Sequence, residues 1–188
     1  MSASNPPNIH LLFVHPFPHL SWVNQVLADT VQDIEGVHVH DLYELYPNFH
    51  IDVEVEQDYL RQCDLLVVQH PFYWYSAPAL FKQWQDTVLQ PGFAFGSEGS
   101  ALQGKDWLTV VTAGQSAGAY QPDGKNHYTF EQLLRPYQCA ANHCHMNYLN
   151  PITIPDAHRL SDEQLEQYKN QYRRTLEEYR PHREQSNG

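Results

Sequence analysis

The densest concentration of chemically distinctive side chains is His70-Pro71-Phe72-Tyr73-Trp74-Tyr75-Ser76-Ala77-Pro78-Ala79-Leu80. It follows an apolar run, Leu65 to Val68, that reads as a buried strand, and precedes a segment opened by Pro78 that reads as a helix. Four consecutive aromatic residues, Phe72 to Tyr75, thus fall where a strand hands over to a helix. In an open α/β sheet that loop lies at the carboxyl end of the strand, where ligands bind. Consecutive loop residues point in different directions, so core packing or a subunit contact would use two of the rings more readily than four. A flat ligand gives such a wall a purpose.

Two more loops bear on the same chemistry. His15-Pro16-Phe17-Pro18-His19-Leu20-Ser21 leads into a periodic segment carrying Trp22, Val23 and Asn24. Main-chain N–H groups and the dipole at a helix N-terminus attract phosphate without Lys or Arg. Ser21 and Asn24 add short polar side chains, and His15 can donate from the strand tip. Taken alone, this loop fits an ordinary capped helix better. Thr112-Ala113-Gly114-Gln115-Ser116-Ala117-Gly118-Ala119-Tyr120 is the third loop. Its small residues would let the backbone approach a flat ligand, although a plain surface loop has the same composition. Three loops at one sheet edge suit a mononucleotide with a flat head group, such as a flavin, whose anionic reduced ring oriented N–H groups would stabilise.

The elements that must hold these loops alternate between strand and helix. Ile9–Val14, Val37–Leu42, Leu65–Gln69, Leu108–Thr112 and Met146–Asn150 (with Ile152–Ile154) read as strands. Helices are expected from Ser21 to Gly36, over Glu54–Gln62 and Pro78–Leu89, over Phe130–Cys139 with a disturbance at Pro136, and from Ser161 onward. Ser161 and Gln164 fit a capping box, with Leu165, Tyr168, Tyr172, Leu176 and Tyr179 as the buried stripe. Five such units predict a parallel sheet covered on both faces, a flavodoxin-like three-layer α/β sandwich with a five-stranded sheet of order 2-1-3-4-5. A dinucleotide-binding Rossmann domain wants a Gly-rich turn after strand 1, and residues 15–21 contain no glycine.

A chain of 188 residues, 41% hydrophobic and 18% charged, is expected to form one globular domain, with loose ends at 1–8 and 181–188. The net charge of −11 argues against nucleic acid and anionic lipid. No apolar run is long enough to span a bilayer, and no signal peptide is legible. Cys63, Cys139 and Cys144 read as cytosolic thiols. Cys139, His143, Cys144 and His145 lack zinc-pair spacing, so no metal is expected. His38 and His40 should face solvent from strand 2.

The chain resembles the flavodoxin-like NAD(P)H:quinone oxidoreductase family in His15-Pro16, Ser21, Asn24, Asp41-Leu42-Tyr43, Gln69 to Leu80 and Pro91-Gly92-Phe93-Ala94-Phe95-Gly96. Asp41 to Pro47, Phe49, Ile51-Asp52, Gln57 and Leu134-Arg135-Pro136-Tyr137 are similar to one branch, the bacterial ancillary proteins of glutathione-gated potassium-efflux antiporters. The resemblance implies FMN, with FAD as the second candidate, NAD(P)H as co-substrate and two-electron reduction of quinones through flavin N5. It also implies a homodimer that is cytoplasmic and peripheral at the inner face of the membrane. The branch implies an alternative role, a regulatory subunit docked on the cytosolic domain of the antiporter.

Carried over by residue, His15, Ser21, Trp22, Val23 and Asn24 would hold the phosphate, and Phe72, Tyr73, Trp74 and Tyr75 would wall the ring. Thr112, Ala113, Gly114 and Gln115 would form the third contact, where Ala113 and Gln115 depart from the family's usual Thr-Thr-Gly-Gly. Tyr120 and His127 would be the catalytic phenol and imidazole.

Overall fold

The computed structural model describes residues 6–181. The strands are β1 (Ile9–Phe13), β2 (Val37–Asp41), β3 (Leu65–Pro71), β4 (Asp106–Thr112), β5 (Asn147–Tyr148) and β6 (Ile152–Ile154). All pairings are parallel, in the order β2-β1-β3-β4-β5, with β6 also on β4. This is the expected 2-1-3-4-5 sheet. Its fifth strand is broken: β5 pairs Asp106 and Trp107, β6 pairs Val110 to Thr112, and Pro151, which has no N–H for a ladder, lies in the gap.

Every residue of β1, β3 and β4 is buried, as strands covered on both faces require. The helices are α1 (Trp22–Val31), α2 (Leu42–Leu45), α3 (Val53–Gln62), α4 (Ala79–Val88), α5 (Phe130–Leu133), α6 (Arg135–His143) and α7 (Asp162–Glu177). One core joins Leu80, Phe81 and Trp84 of α4 to Leu66 and Val68 of β3 and Trp107 of β4. The other joins Leu27 and Val31 of α1 to Tyr172 and Leu176 of α7 across β1.

Several boundaries differ from expectation for identifiable reasons. Strand 2 stops at Asp41, whose carboxylate accepts from the N–H groups of Tyr43 (3.0 Å) and Glu44 (3.1 Å) and so starts α2. Strand 4 begins two residues early because buried Asp106 is satisfied by Tyr179 Oη (2.8 Å) and Asn147 Nδ2 (2.9 Å). The expected 130–139 helix is two: Leu134 separates them, and Pro136 sits in the first turn of α6, where its missing N–H costs nothing. The capping box of Ser161 and Gln164 forms as expected.

Gly36 closes the turn after α1 at φ +87°, and a Cβ there would lie 2.2 Å from the Pro7 carbonyl oxygen. Asn8 is fastened to Asp64, donating its N–H to Oδ2 at 2.8 Å. Residues 1–5 and 182–188 of the expected loose ends lie outside the described residues. His38 is exposed as expected, but His40 packs against His10 and Tyr59, each with centroids 4.4 Å away. Burial, and next the neighbouring His10, lower the His40 pKa to about 4.

That cluster adjoins Glu56, fully buried on α3. Its carboxylate accepts from Tyr46 Oη and Trp84 Nε1, both at 2.8 Å, with His10 Nε2 at 3.9 Å. Burial alone would raise its pKa, but the nearby His10 ring and the bonds from Trp84 and Tyr46 outweigh burial and hold it below the ordinary value. Glu56→Ala should cost about 3 kcal/mol, because it strands the two buried donors Tyr46 Oη and Trp84 Nε1, as read by urea denaturation. Ionised Glu56 contributes stability that is complete above the unfolded pKa near 4.5 and is lost as pH falls through the lower folded value. Glu56→Gln should therefore flatten the acid limb of stability against pH.

Candidate functional site

The loops after β1, β3, β4 and β6 meet at one sheet edge around a cavity of about 400 Å³. Its lining includes His15, Ser21, Trp22, Val23 and Asn24 from the first loop and Phe72 and Tyr73 from the second. Thr112, Ala113 and Gly114 come from the third. Phe17, Ala157, His158 and Leu160 also line it, beyond the residues expected from the sequence.

The N-terminus of α1 is left open. Ser21 occupies the cap position but makes no capping bond, and the first turn holds no acidic residue. Among the described residues, the N–H groups of Trp22, Val23 and Asn24 have no hydrogen-bond partner. Such a helix end seeks an anion. Ser21 is occupied elsewhere: Asn24 Nδ2 donates to Ser21 Oγ (2.9 Å) and to Thr112 Oγ1 (2.7 Å) on β4. Gln69 Nε2 of β3 in turn donates to the Asn24 carbonyl at 2.7 Å. The two hydroxyls accept from Asn24 and retain their own protons as donors to a ligand.

His15 is buried, and its Nδ1 accepts from the Phe17 N–H at 3.0 Å. In the neutral ring the proton is then on Nε2. Burial, with a smaller contribution from nearby His19, lowers its pKa to about 4. His15 is thus a neutral N–H donor at physiological pH.

The aromatic loop is a tight two-residue hairpin. Tyr73 and Ser76 exchange both main-chain bonds, at 2.9 and 3.0 Å, leaving Trp74 (φ +50°) and Tyr75 (φ +63°) in the left-handed region. That turn type normally takes Asn or Gly, so two bulky rings there mark stored strain. The geometry separates the four rings. Phe72 and Tyr73 line the cavity, while Trp74, 93% exposed, projects into solvent, and Tyr75 donates to Asn126 Oδ1 at 3.1 Å.

Three other expected site residues also stand off the lining. Gln115 lies beyond Gly114, its main-chain oxygen accepting from the Asp156 N–H at 2.9 Å. Tyr120 is buried, stacked on Phe130 with centroids 3.8 Å apart, one ring behind Phe72 at 6.1 Å. Burial raises its pKa. His127 sits in a turn at φ +59°, its N–H donating to the Gly124 carbonyl. The cavity's imidazoles are instead His15 and His158. His158 reaches Gly114 closely enough that a Cβ there would meet its ring at 3.3 Å.

The end of β6 and loop 155–160 are zipped to the third loop, with Ala113 N–H donating to Ile154 O (2.8 Å) and Ala157 N–H to Ala113 O (3.0 Å). The N–H groups of Gly114 and Gln115 have no partner among the described residues. The arrangement can therefore take a phosphate at α1 and a flat polar ring between Phe72 and Tyr73 on one side and Gly114 on the other.

Comparison with known proteins agrees with this fold. The family model Flavodoxin_2, described as flavodoxin-like fold, matches residues 7–176. The glutathione-regulated potassium-efflux system ancillary protein KefG of Pectobacterium carotovorum is 48% identical, covering 86% of this chain and 88% of that protein. The solved general stress protein 14 of Treponema denticola, in complex with FMN, is 35% identical with TM-score 0.84, covering 90% of this chain and 98% of that one. An NADPH-quinone reductase from P. pentosaceus is 29% identical with TM-score 0.85, covering 92% and 99%.

His15 should titrate near pH 4 rather than 6.5, as read from its ring resonances by NMR. The unfolded chain takes up this proton first, so stability should decline as pH falls from about 6.5 to about 4. His15→Asn should remove that part of the decline.

Proposed function

We propose the following from the premise that this chain belongs to the Flavodoxin_2 family of flavodoxin-like fold: it is an FMN-dependent NAD(P)H:quinone oxidoreductase. The observation that carries the reading is the open α1 N-terminus, facing a cavity of about 400 Å³ walled by Phe72, Tyr73 and Gly114. The FMN complex and the NADPH-quinone reductase among the similar structures support it.

The residues fit the cofactor. The N–H groups of Trp22, Val23 and Asn24, the hydroxyls of Ser21 and Thr112 and the Nε2–H of His15 supply donors for the FMN phosphate, with no desolvated cation required. Bound FMN supplies the hydride acceptance and donation that no amino-acid side chain provides, at N5 of its ring. Phe72 and Tyr73 exclude water from one face of the ring. The unpartnered N–H groups of Gly114 and Gln115 are placed to stabilise negative charge at its polar edge.

Ala113 and Gln115 do not obstruct this role. Ala113 is buried and uses both main-chain groups, its N–H on Ile154 of β6 and its carbonyl on Ala157, and the Gln115 residue lies outside the cavity. Tyr120, packed behind Phe72, acts as a positioning residue, whereas His127 stays on an outer turn away from the lining. Trp74 and Tyr75 form the outer wall, and a second copy of the chain is the proposed cover for Trp74. No helix among the described residues is long and apolar enough to cross a membrane. A cytoplasmic protein peripheral to the membrane is the matching location.

The likeness to KefG favours a second role that does not exclude the first, an ancillary subunit bound to the cytosolic domain of a potassium-efflux antiporter. A pull-down with that domain reads it directly.

Purified protein should reduce menadione with NADPH only when FMN is present, with ping-pong kinetics. Absence of turnover in a folded, FMN-loaded sample would remove the enzyme and leave the ancillary role. In a fluorescence titration, Tyr73→Ala should weaken FMN binding by about tenfold, the scale of one buried aromatic contact.

A further inference from the structure

The third loop has a second face. Gln115, Ser116 and Gly118 form one side of an open groove of about 420 Å³, and Lys125 and Arg159 also line it. Gly114 lines both this groove and the main cavity, so the two adjoin at that residue.

Cations are scarce in this chain, which has 11 Lys and Arg against 22 Asp and Glu. Arg61, Lys82, Arg135, Lys169 and Arg173 are each held by a carboxylate, and Lys105 by the carbonyls of Arg61 and Cys63. Lys125 has no hydrogen-bond or ion-pair partner among the described residues, yet it sits at the groove.

Arg159 is placed there by built structure. Its Nη2 bonds Asp156 Oδ1 at 2.9 Å, leaving the other guanidinium donors available. Asp156 itself is left-handed at φ +52°, and its N–H is fixed to the Gln115 carbonyl at 2.9 Å. The Arg159 N–H returns to the Asp156 carbonyl at 2.7 Å. The same short segment thus presents His158 to the cavity and Arg159 to the groove.

We propose that Lys125 and Arg159 bind the 2′-phosphate on the adenosine half of a phosphorylated nicotinamide dinucleotide, so that the chain prefers NADPH to NADH. This rests on the reductase reading and names its reductant. A polyanion approaching a chain of net charge −11 needs local cations. A reductant whose nicotinamide lies over a ring beside Gly114 can extend across that residue into the groove. The groove's Gly, Ser and Ala walls offer little apolar surface for adenine but close approach for an anion. It is also separate from the α1 N-terminus, so a flavin phosphate and a reductant phosphate would not compete.

The test titrates FMN-loaded protein with adenosine 2′,5′-bisphosphate and with AMP by calorimetry. The bisphosphate should bind about tenfold more tightly, the scale of one charge-assisted contact. Lys125→Ala should abolish that ratio, and Lys125→Arg should keep it. Arg159→Ala should act like Lys125→Ala, and the Lys125 variants carry the test should Arg159→Ala fail to fold. In turnover, kcat/KM for NADPH should fall about tenfold in Lys125→Ala through KM, with NADH changed less than twofold. Equal binding of the two nucleotides, or a ratio unaltered by Lys125→Ala, overturns the proposal. So does a Lys125→Ala protein that loses affinity for FAD but not for the bisphosphate, which would assign the groove to a flavin's adenine half. The expected ratio without turnover of either dinucleotide keeps the groove and refutes the reductase reading.

Discussion

Asn24 directs its carboxamide away from solvent, to Ser21 on its own loop and to Thr112, 88 residues away on β4. Its main-chain carbonyl takes Gln69 from the strand between them. The N-terminus of α1 and the ends of β3 and β4 are thereby fixed to one another by three short bonds in a buried place. Each is worth about 1 kcal/mol net, and more is lost when one partner is removed than when both are. The arrangement is not ideal for stability alone. Among the described residues, Asn24 Oδ1 and Gln69 Oε1 are buried without partners, which costs about 1–3 kcal/mol apiece. Unmatched acceptors at the sheet's functional edge, beneath an uncapped helix, fit a region shaped for a ligand rather than for the free chain.

The sheet was legible because its central strands are buried on both faces and read as unbroken apolar runs. Helices α3, α4 and α7 were legible because period and end signals agreed. What escaped was polar residues satisfied at long range. Asp106 looks like a poor strand residue until Tyr179 and Asn147 supply its partners. Asp41 looks like one more strand residue before Leu42 until its side chain caps the next turn. Neither partner set follows from local sequence, since tertiary context decides it.

The site shows the same division. The loops after strands 1, 3 and 4 carry unusual composition and could be found. Loop 155–160 carries none, so His158 escaped notice. The predicted strand order did contain the missing signal, because a fifth parallel strand must deliver its following loop to the same edge. The aromatic run could be recognised as a wall, but not its partition. Which rings face inward depends on the left-handed turn at Trp74 and Tyr75, a conformation that sequence propensity would assign to Asn and Gly.

The two ends of the cavity are therefore built differently. At the phosphate end, the donors are main chain and buried polar groups locked by Asn24, so their geometry is set before any ligand arrives. At the ring end, the wall rests on a strained turn held by the Tyr73–Ser76 exchange, a Ser76–Tyr137 contact at 3.1 Å and the Tyr75–Asn126 bond. A left-handed residue costs about 1–2 kcal/mol, so two of them need those anchors to persist. The anchors fix Tyr73 toward the cavity and leave Trp74 outward, with nearly its whole indole in water. Under the proposed function, grip on a phosphate is thus a property of the single chain. In the same reading, enclosure of a ring rests on the second copy proposed to cover Trp74, which would couple the outer half of the site to assembly rather than to folding.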